Sequence, residues 1–236
     1  MSRTLREMPC FAHWPPIALS QLMGSSRLCW HKRGSMLSAD VEAGKPEIFV
    51  IVSGHVLHVE APRDSARMSL ALRGPRHILG LSYMLDLGSR RLEYVANDEV
   101  VAIHIPGHLL FGFLDDDPVR WKDMSRMVLQ QERTQIDLVV GQTVGSFARR
   151  LASTVEQLAA LYGTQATEKD AVHLRLTQQT LADILQVSRQ SVNTQMSTWA
   201  ALGVVEIQYS GILVRDSSAL REISRPPAPL EDGVSA

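Results

Sequence analysis

The side chains best suited to chemistry stand close together near the C-terminus: Arg189, Gln190, Asn193, Thr194 and Ser197. At about 100° per residue, a helix beginning at Arg189 puts Val192, Met196 and Trp199 on one stripe. Gln190, Thr194 and Ser197 then lie on the opposite side, with Arg189 and Asn193 on its flank. Such a helix, anchored by its back, presents forked and amide hydrogen-bonding groups outward. This is the chemistry that reads base edges in a major groove, Arg pairing with guanine and Gln or Asn with adenine.

These residues need a frame, and the surrounding sequence supplies one. Leu181, Ile184 and Leu185 recur at i, i+3, i+4, which predicts a preceding helix with one buried side and with Gln178, Gln179 and Asp183 left wet. Ser188 is the N-cap of the second helix, its hydroxyl taking an orphan backbone N–H. Gly203 ends that helix. Val204–Tyr209 has strand composition, Ser210-Gly211 is a turn signal and Ile212–Arg215 returns as a second strand. The unit is a winged helix-turn-helix. Arg189, Gln190, Asn193 and Thr194 are expected to touch bases, and Gln179, Ser188 and the wing at Ser210 to hold phosphates; Gln178, Ser191 and Ser197 complete the expected DNA-binding set.

The run from Leu181 to Val192, Leu-Ala-Asp-Ile-Leu-x-Val-Ser-Arg-x-Ser-Val, and the Leu-Gly-Val-Val-Glu-Ile run into the wing resemble the C-terminal domain of the CRP/FNR family of bacterial transcription factors. The resemblance implies a homodimeric regulator acting on a palindromic operator in double-stranded DNA, with RNA polymerase as a further partner. Two departures matter. Where the family commonly carries Arg, then Glu, then Arg four positions beyond, this chain has Arg189, Gln190 and Thr194, so its operator should differ from the family's usual TGTGA. Gln186 stands where relatives often have Gly, and a positive φ there costs a side chain about 1 kcal/mol.

From about Arg27 to Ile105 the pattern becomes β-rich. Arg27–His31, Glu47–Val52, His55–Glu60, Met68–Leu72, Leu92–Val95 and Val100–Ile105 are the expected strands of an antiparallel barrel or jelly roll. Glu47–Val56 resembles the strand-turn-strand by which the family enters its cyclic-nucleotide-binding-like sensor. Family members that bind cyclic nucleotides carry Gly-Glu and then Arg-Ser/Thr-Ala. Here Leu81 follows Gly80 in place of Glu, and Arg90 and Arg91 lack the small pair after them, so cyclic AMP is disfavoured. Gly80, Leu81, Ser82, Tyr83, Arg90, Arg91, Gln131 and Gln135 are the candidates for lining an effector pocket, and the effector is unknown. His55, His58, His77, His104 and His108 raise haem, which is disfavoured because His55 and His58 are expected on opposite strand faces; His77 lies nearest the cassette. The family's oxygen sensors hold an iron–sulfur cluster on four cysteines, and Cys10 and Cys29 are too few. No metal site is expected.

Asp115–Pro118 is a helix start, and the run to about Val140 lacks Gly and Pro, extending roughly 35 Å. Trp121, Met124, Val128, Gln131, Gln135 and Leu138 recur with 3,4 spacing as a candidate coiled-coil seam; packing of this stripe on the chain's own barrel is the competing reading, because Met127, Ile136 and Val139 form a second apolar face. Gly141 and Gly145 are a candidate hinge.

The expected fold is therefore α+β: a sensor barrel over 1–116, a dimerisation helix over 117–143, a winged helix-turn-helix over 144–224 and a disordered tail over 225–236. Formal net charge is −1, and residues 141–225 hold eight Lys/Arg against seven Asp/Glu, so affinity for DNA must come from local placement of Arg149, Arg150, Arg189 and Arg215 and from doubling the site. The longest apolar run, Ile48–Val52, is too short for a bilayer and no leader pattern precedes it, which with two cysteines points to a cytoplasmic protein without a membrane partner. No nucleophile–base or phosphate-loop pattern marks an enzyme. A haem- or small-ligand-binding sensor acting through protein contacts is the alternative function.

Overall fold

The computed structural model describes residues 2–37, 46–60, 68–85, 92–166, 170–209 and 211–225, which fall into two compact units, Met1–Ile136 and Asp137–Ala236. The first unit contains two antiparallel sheets. One has the order β1 (Arg27–His31), β7 (Val100–Pro106), β2 (Glu47–Ser53), β5 (Ile78–Leu79); the other has β4 (Met68–Arg73), β3 (Val56–Glu60), β6 (Leu92–Ala96). All six expected strands are present to within a residue or two. Among the described residues the two sheets do not close into a barrel, while the expected α+β architecture with antiparallel sheets is present.

The continuous apolar run in β2 has a physical reason: this strand is covered on both faces. Phe49 and Ile51 point into the core between the sheets, with Val56, Tyr94, Val100 and Ala102. Ile48 and Val50 point the other way, with Ile103 and Ile105 of β7, into a helical layer. That layer is built by α1 (Ser2–Arg6), a 3-10 turn (Pro9–Phe11), α2 (Pro16–Gly24) and α4 (Gly107–Asp115), which bury Leu5, Met8, Phe11, Leu22, Leu110 and Leu114. Each such side chain contributes about 1.5–3 kcal/mol of burial. The sequence pattern names only strands over 1–116 and gives no sign of this layer.

Helix α5 (Pro118–Thr143) follows, with Asp117 Oδ1 accepting the Val119 N–H at 3.0 Å. Its first turns correct the expected seam. Met124 and Met127 are buried in the helical core of the first unit, with Trp121 and Val128 packed against it, so the Trp121–Met124–Val128 stripe is spent inside its own unit. The exposed large apolar positions are instead Val119, Leu129, Ile136, Val139 and Val140.

The second unit has α6 (Phe147–Tyr162), α7 (Gln178–Leu185), α8 (Arg189–Ala201) and α9 (Ser217–Ser224), with a sheet of order β10 (Val205–Gln208), β11 (Gly211–Val214), β9 (Val172–Leu174), β8 (Thr164–Gln165). Glu156 of α6 holds α9, taking Arg221 Nε at 3.0 Å and the Ser224 hydroxyl at 2.6 Å. Strands β8 and β9 and helix α9 are additions to the elements expected from sequence. Of the tail expected over 225–236, Arg225 is described as the C-cap of α9 and residues 226–236 lie outside the described residues.

Candidate nucleic-acid interface

Helix α7 starts at Thr177, whose hydroxyl accepts the Thr180 N–H at 3.1 Å, and buries Leu181, Ala182, Ile184 and Leu185. It stops at Gln186, which adopts φ 54° and ψ 46° while its own Nε2 donates to the Asp183 carbonyl at 2.6 Å. The left-handed backbone turns the chain at once. Two residues later Ser188 Oγ accepts the Ser191 N–H at 3.1 Å and α8 begins. Val192, Met196 and Trp199 are buried at 0%, 0% and 3% exposure, which fixes the rotation of α8 about its axis. Gly203 then takes φ +75°, and β10 and β11 pair in register from Val205↔Val214 to Gln208↔Gly211.

With its back fixed, α8 turns Arg189, Gln190, Ser191, Asn193, Thr194 and Ser197 to solvent. Ser188 is exposed too, its oxygen 2.9 Å from that of Ser191. On α7, Gln179 is exposed with its amide donating to Asp183 Oδ1 at 2.8 Å, and Gln178 is half-buried. Ser210 lies outside the described residues, but its neighbour Tyr209 is fully exposed. The structure therefore brings the described members of the expected set together on and beside one helix.

Three of the four arginines weighed for DNA are occupied within the chain. Arg149 Nε donates to the Ser224 carbonyl at 3.0 Å, Arg150 Nη1 to the Gln142 carbonyl at 3.3 Å, and Arg215 Nε to Glu206 at 3.0 Å. The Glu206 carboxyl is held below its usual range by hydrogen bonds from Gln208 and Arg215. Sequence reasoning missed Arg175, exposed two residues before the α7 cap; its signal was a basic residue just ahead of a helix N-terminus.

The expected effector residues are scattered. Gly80 sits at φ +94°, where an added Cβ would meet the Glu47 carbonyl at 2.8 Å, and its N–H donates to the Tyr94 hydroxyl at 3.2 Å. Leu81, in the short helix α3 (Leu81–Met84), packs against the helical core, while Ser82 and Tyr83 are exposed. Gln131 and Gln135 are half-buried on α5, and Arg90 and Arg91 lie outside the described residues. A cavity of about 450 Å³ opens elsewhere in this unit, lined by Arg27, Cys29, His31, Met36, Glu47 and His104 among others. There His104 donates Nδ1–H to Glu47 at 2.8 Å and meets His31 Nε2 at 2.9 Å.

Of the other histidines, His55 bonds Asp98 at 2.6 Å, His77 donates Nδ1–H to the Gly74 carbonyl at 3.1 Å, and His108 is exposed. Among the described residues no three or more His, Cys, Asp or Glu are grouped to hold a metal ion.

Residues 148–223 match the model of the Crp-like helix-turn-helix domain. The second unit therefore carries a Crp-like helix-turn-helix domain. Along 225 residues it is 24% identical to a CRP-like cAMP-activated global transcriptional regulator of Mycobacterium tuberculosis, covering 95% of this chain and 100% of that one. The chain shares its fold with FixK2 from Bradyrhizobium japonicum (TM-score 0.69, 14% identity, 86% of this chain and 99% of that one). A CRP-family transcriptional regulator from Thermus thermophilus is similar as well (TM-score 0.68, 17% identity, 83% and 96%). The Crp-like helix-turn-helix domain implies DNA as a partner of this chain. Among the described residues no helix is long and apolar enough to cross a membrane.

Proposed function

We propose that the chain is a homodimeric, sequence-specific transcription regulator whose first unit is a degenerate cyclic-nucleotide-type sensor. The observation that carries the reading is the exposed polar rim of α8, held rigid by the buried Val192, Met196 and Trp199 behind it. Arg189, Gln190, Asn193 and Thr194 read bases, with Ser191 and Ser197 beside them. Gln178, Gln179, Ser188, Arg175 and the wing at Ser210 position the phosphates. Doubling is supported by the exposed Leu129, Ile136 and Val140, which share one stripe of α5. Two copies of a weakly charged reader then engage a two-fold symmetric operator in the cytoplasm, with RNA polymerase as a further partner. A response to something other than cyclic AMP is supported by Leu81, which replaces a ribose-binding Glu and is turned to the helical core.

The experiment is selection of bound duplexes from a random pool, followed by measurement of Arg189→Ala on the selected site and on random DNA. The variant should lose about 1–3 kcal/mol on the selected site and almost nothing on random DNA. Equal losses on both would remove Arg189 from base reading, and a pool that yields no symmetric site would overturn the dimeric reading.

A further inference from the structure

Alternation along β1 places Arg27, Cys29 and His31 on one side of the first sheet, and the register on β7 fixes what they meet. Arg27 stands opposite His104, Cys29 opposite Ala102 and His31 opposite Val100. Paired residues share a face, and Ala102 and Val100 belong to the core between the sheets, so this row faces inward along an edge strand. His31 and His104 occupy its outer rungs. Their rings lean over the Cys29–Ala102 rung, nearly parallel at 7°, and meet Nε2 to Nε2 at 2.9 Å. Cys29, half-buried and outside any disulfide, lines the same cavity as both histidines.

The pair is arranged as metal-binding histidines are. Two imidazole nitrogens that each bind one ion at about 2.0–2.1 Å stand roughly 3 Å apart. His104 donates Nδ1–H to Glu47 at 2.8 Å, so its neutral ring turns an Nε2 lone pair toward His31, the carboxylate–histidine relay that orients a ligand. Against the cost of burial, hydrogen bonds from His104 and Arg27 hold the Glu47 carboxyl below its usual range. Burial first, and His104 second, lower His31, which favours the neutral ring that coordination requires. Two positive charges also line the cavity. Arg27 is paired with Glu47 Oε1 at 2.6 Å, and Lys32 is exposed to solvent.

Among the described residues no set of three ligands stands assembled, and the thiol on the middle rung completes one by turning about its Cα–Cβ bond. We infer that the β1–β7 edge binds one divalent ion of the zinc type through His31 Nε2, His104 Nε2 and the Cys29 thiolate, with Glu47 orienting His104 and water in the fourth tetrahedral position. On binding, the hydrogen between the rings leaves His31 Nε2 as that ring takes its Nδ1–H form, and the Cys29 thiol proton passes to solvent. One proton is released for each ion bound. The site lies in the first unit, and its binding does not depend on DNA.

The test is titration of the metal-free full chain, kept reduced, with Zn(II) against a chromophoric chelator and with Co(II) as a spectroscopic probe. One ion per chain should bind saturably, and Co(II) should give tetrahedral d–d bands with a sulfur-to-cobalt charge-transfer band. Cys29→Ser should remove that band, whereas Cys10→Ala should keep it. His31→Ala should weaken binding by at least about tenfold; should it fail to fold, His31→Phe keeps a ring against His104 without a ligand nitrogen and should weaken binding as much. Glu47→Gln, a change of positioning, should weaken binding about 10–100-fold and leave the sulfur band in place. Affinity should fall by roughly tenfold or more per unit as pH is lowered from about 8 to about 6, because the thiol must lose its proton. The site is discarded if uptake is not saturable, if the His31 variants bind as the parent does, or if the sulfur band is missing from the parent or survives Cys29→Ser.

Discussion

Ser188 Oγ accepts the Ser191 N–H at 3.1 Å, so the first turn of α8 is tied by a side chain that itself lies on the exposed rim. Cap and contact can be separated. Ser188→Ala should cost about 1 kcal/mol of stability, and Ser188→Asp should keep it, because a carboxylate caps equally well. The Asp variant should nevertheless bind DNA more weakly than the parent, a negative charge now facing phosphate. Urea melts paired with gel-shift titrations check both; a fully active Ser188→Asp would place this helix start away from the duplex.

Gln186 holds φ 54°, a conformation that disfavours any side chain with a Cβ. Gln186→Gly should stabilise the second unit by up to about 1 kcal/mol, reduced by loss of the bond from its amide to the Asp183 carbonyl. Gln186→Val should destabilise it by more than roughly 1 kcal/mol, since a branched side chain suits this conformation worst. Equal midpoints for the Gly and Val variants in chemical denaturation would contradict this backbone argument.

Acid should unfold the first unit early. Burial is the leading cause in lowering His31, His58 and His77, seconded by His104 for the first and by Arg73 for the other two, and His58 and His77 fall from 6.5 to about 4. The unfolded chain then binds protons that the folded chain refuses. The stability from these groups is fully present above pH 6.5 and drains away as pH falls toward 4, roughly 3 kcal/mol at most for each of the latter two. His58→Phe should flatten this acid limb. Superimposable pH profiles for parent and variant would show that the imidazole is not held neutral.

Leu129, Ile136 and Val140 are 68%, 62% and 57% exposed and lie along one stripe of α5. Leu129→Lys with Ile136→Glu should therefore cost little monomer stability, under about 1 kcal/mol, yet halve the mass seen by sedimentation and abolish tight operator binding. An unchanged sedimentation coefficient would mean that copies associate elsewhere.

Much of this molecule follows from local pattern. The 3,4 spacing of Leu181, Ile184 and Leu185, the stripe Val192–Met196–Trp199 and the Ser188 cap specify the reading unit before any long-range contact is known, because helix period and capping act within one or two turns. Strands such as β2 and β7 are legible for the same reason: runs of β-branched and apolar residues between turn signals have few other uses. The short strands β8 and β9 carry no such signal, since Thr164 and Gln165 are polar and exposed and pair only because β11 lies next to β9.

Partner choice was decided by the tertiary structure. Residues 118–143 are helical by composition alone, but which apolar stripe is covered depends on Phe11, Leu110 and Leu114 arriving from elsewhere in the chain, and they claim Met124 and Met127 while leaving Leu129 and Ile136 bare. Arg149 and Arg215 look like Arg189 in sequence, until Ser224 and Glu206 are brought within 3.0 Å of them. Arg73 is one basic residue among many in the sequence; only the pairing of β4 with β3 turns it inward. Periodicity states which faces exist, whereas the free energy of covering each face belongs to contacts between residues far apart along the chain.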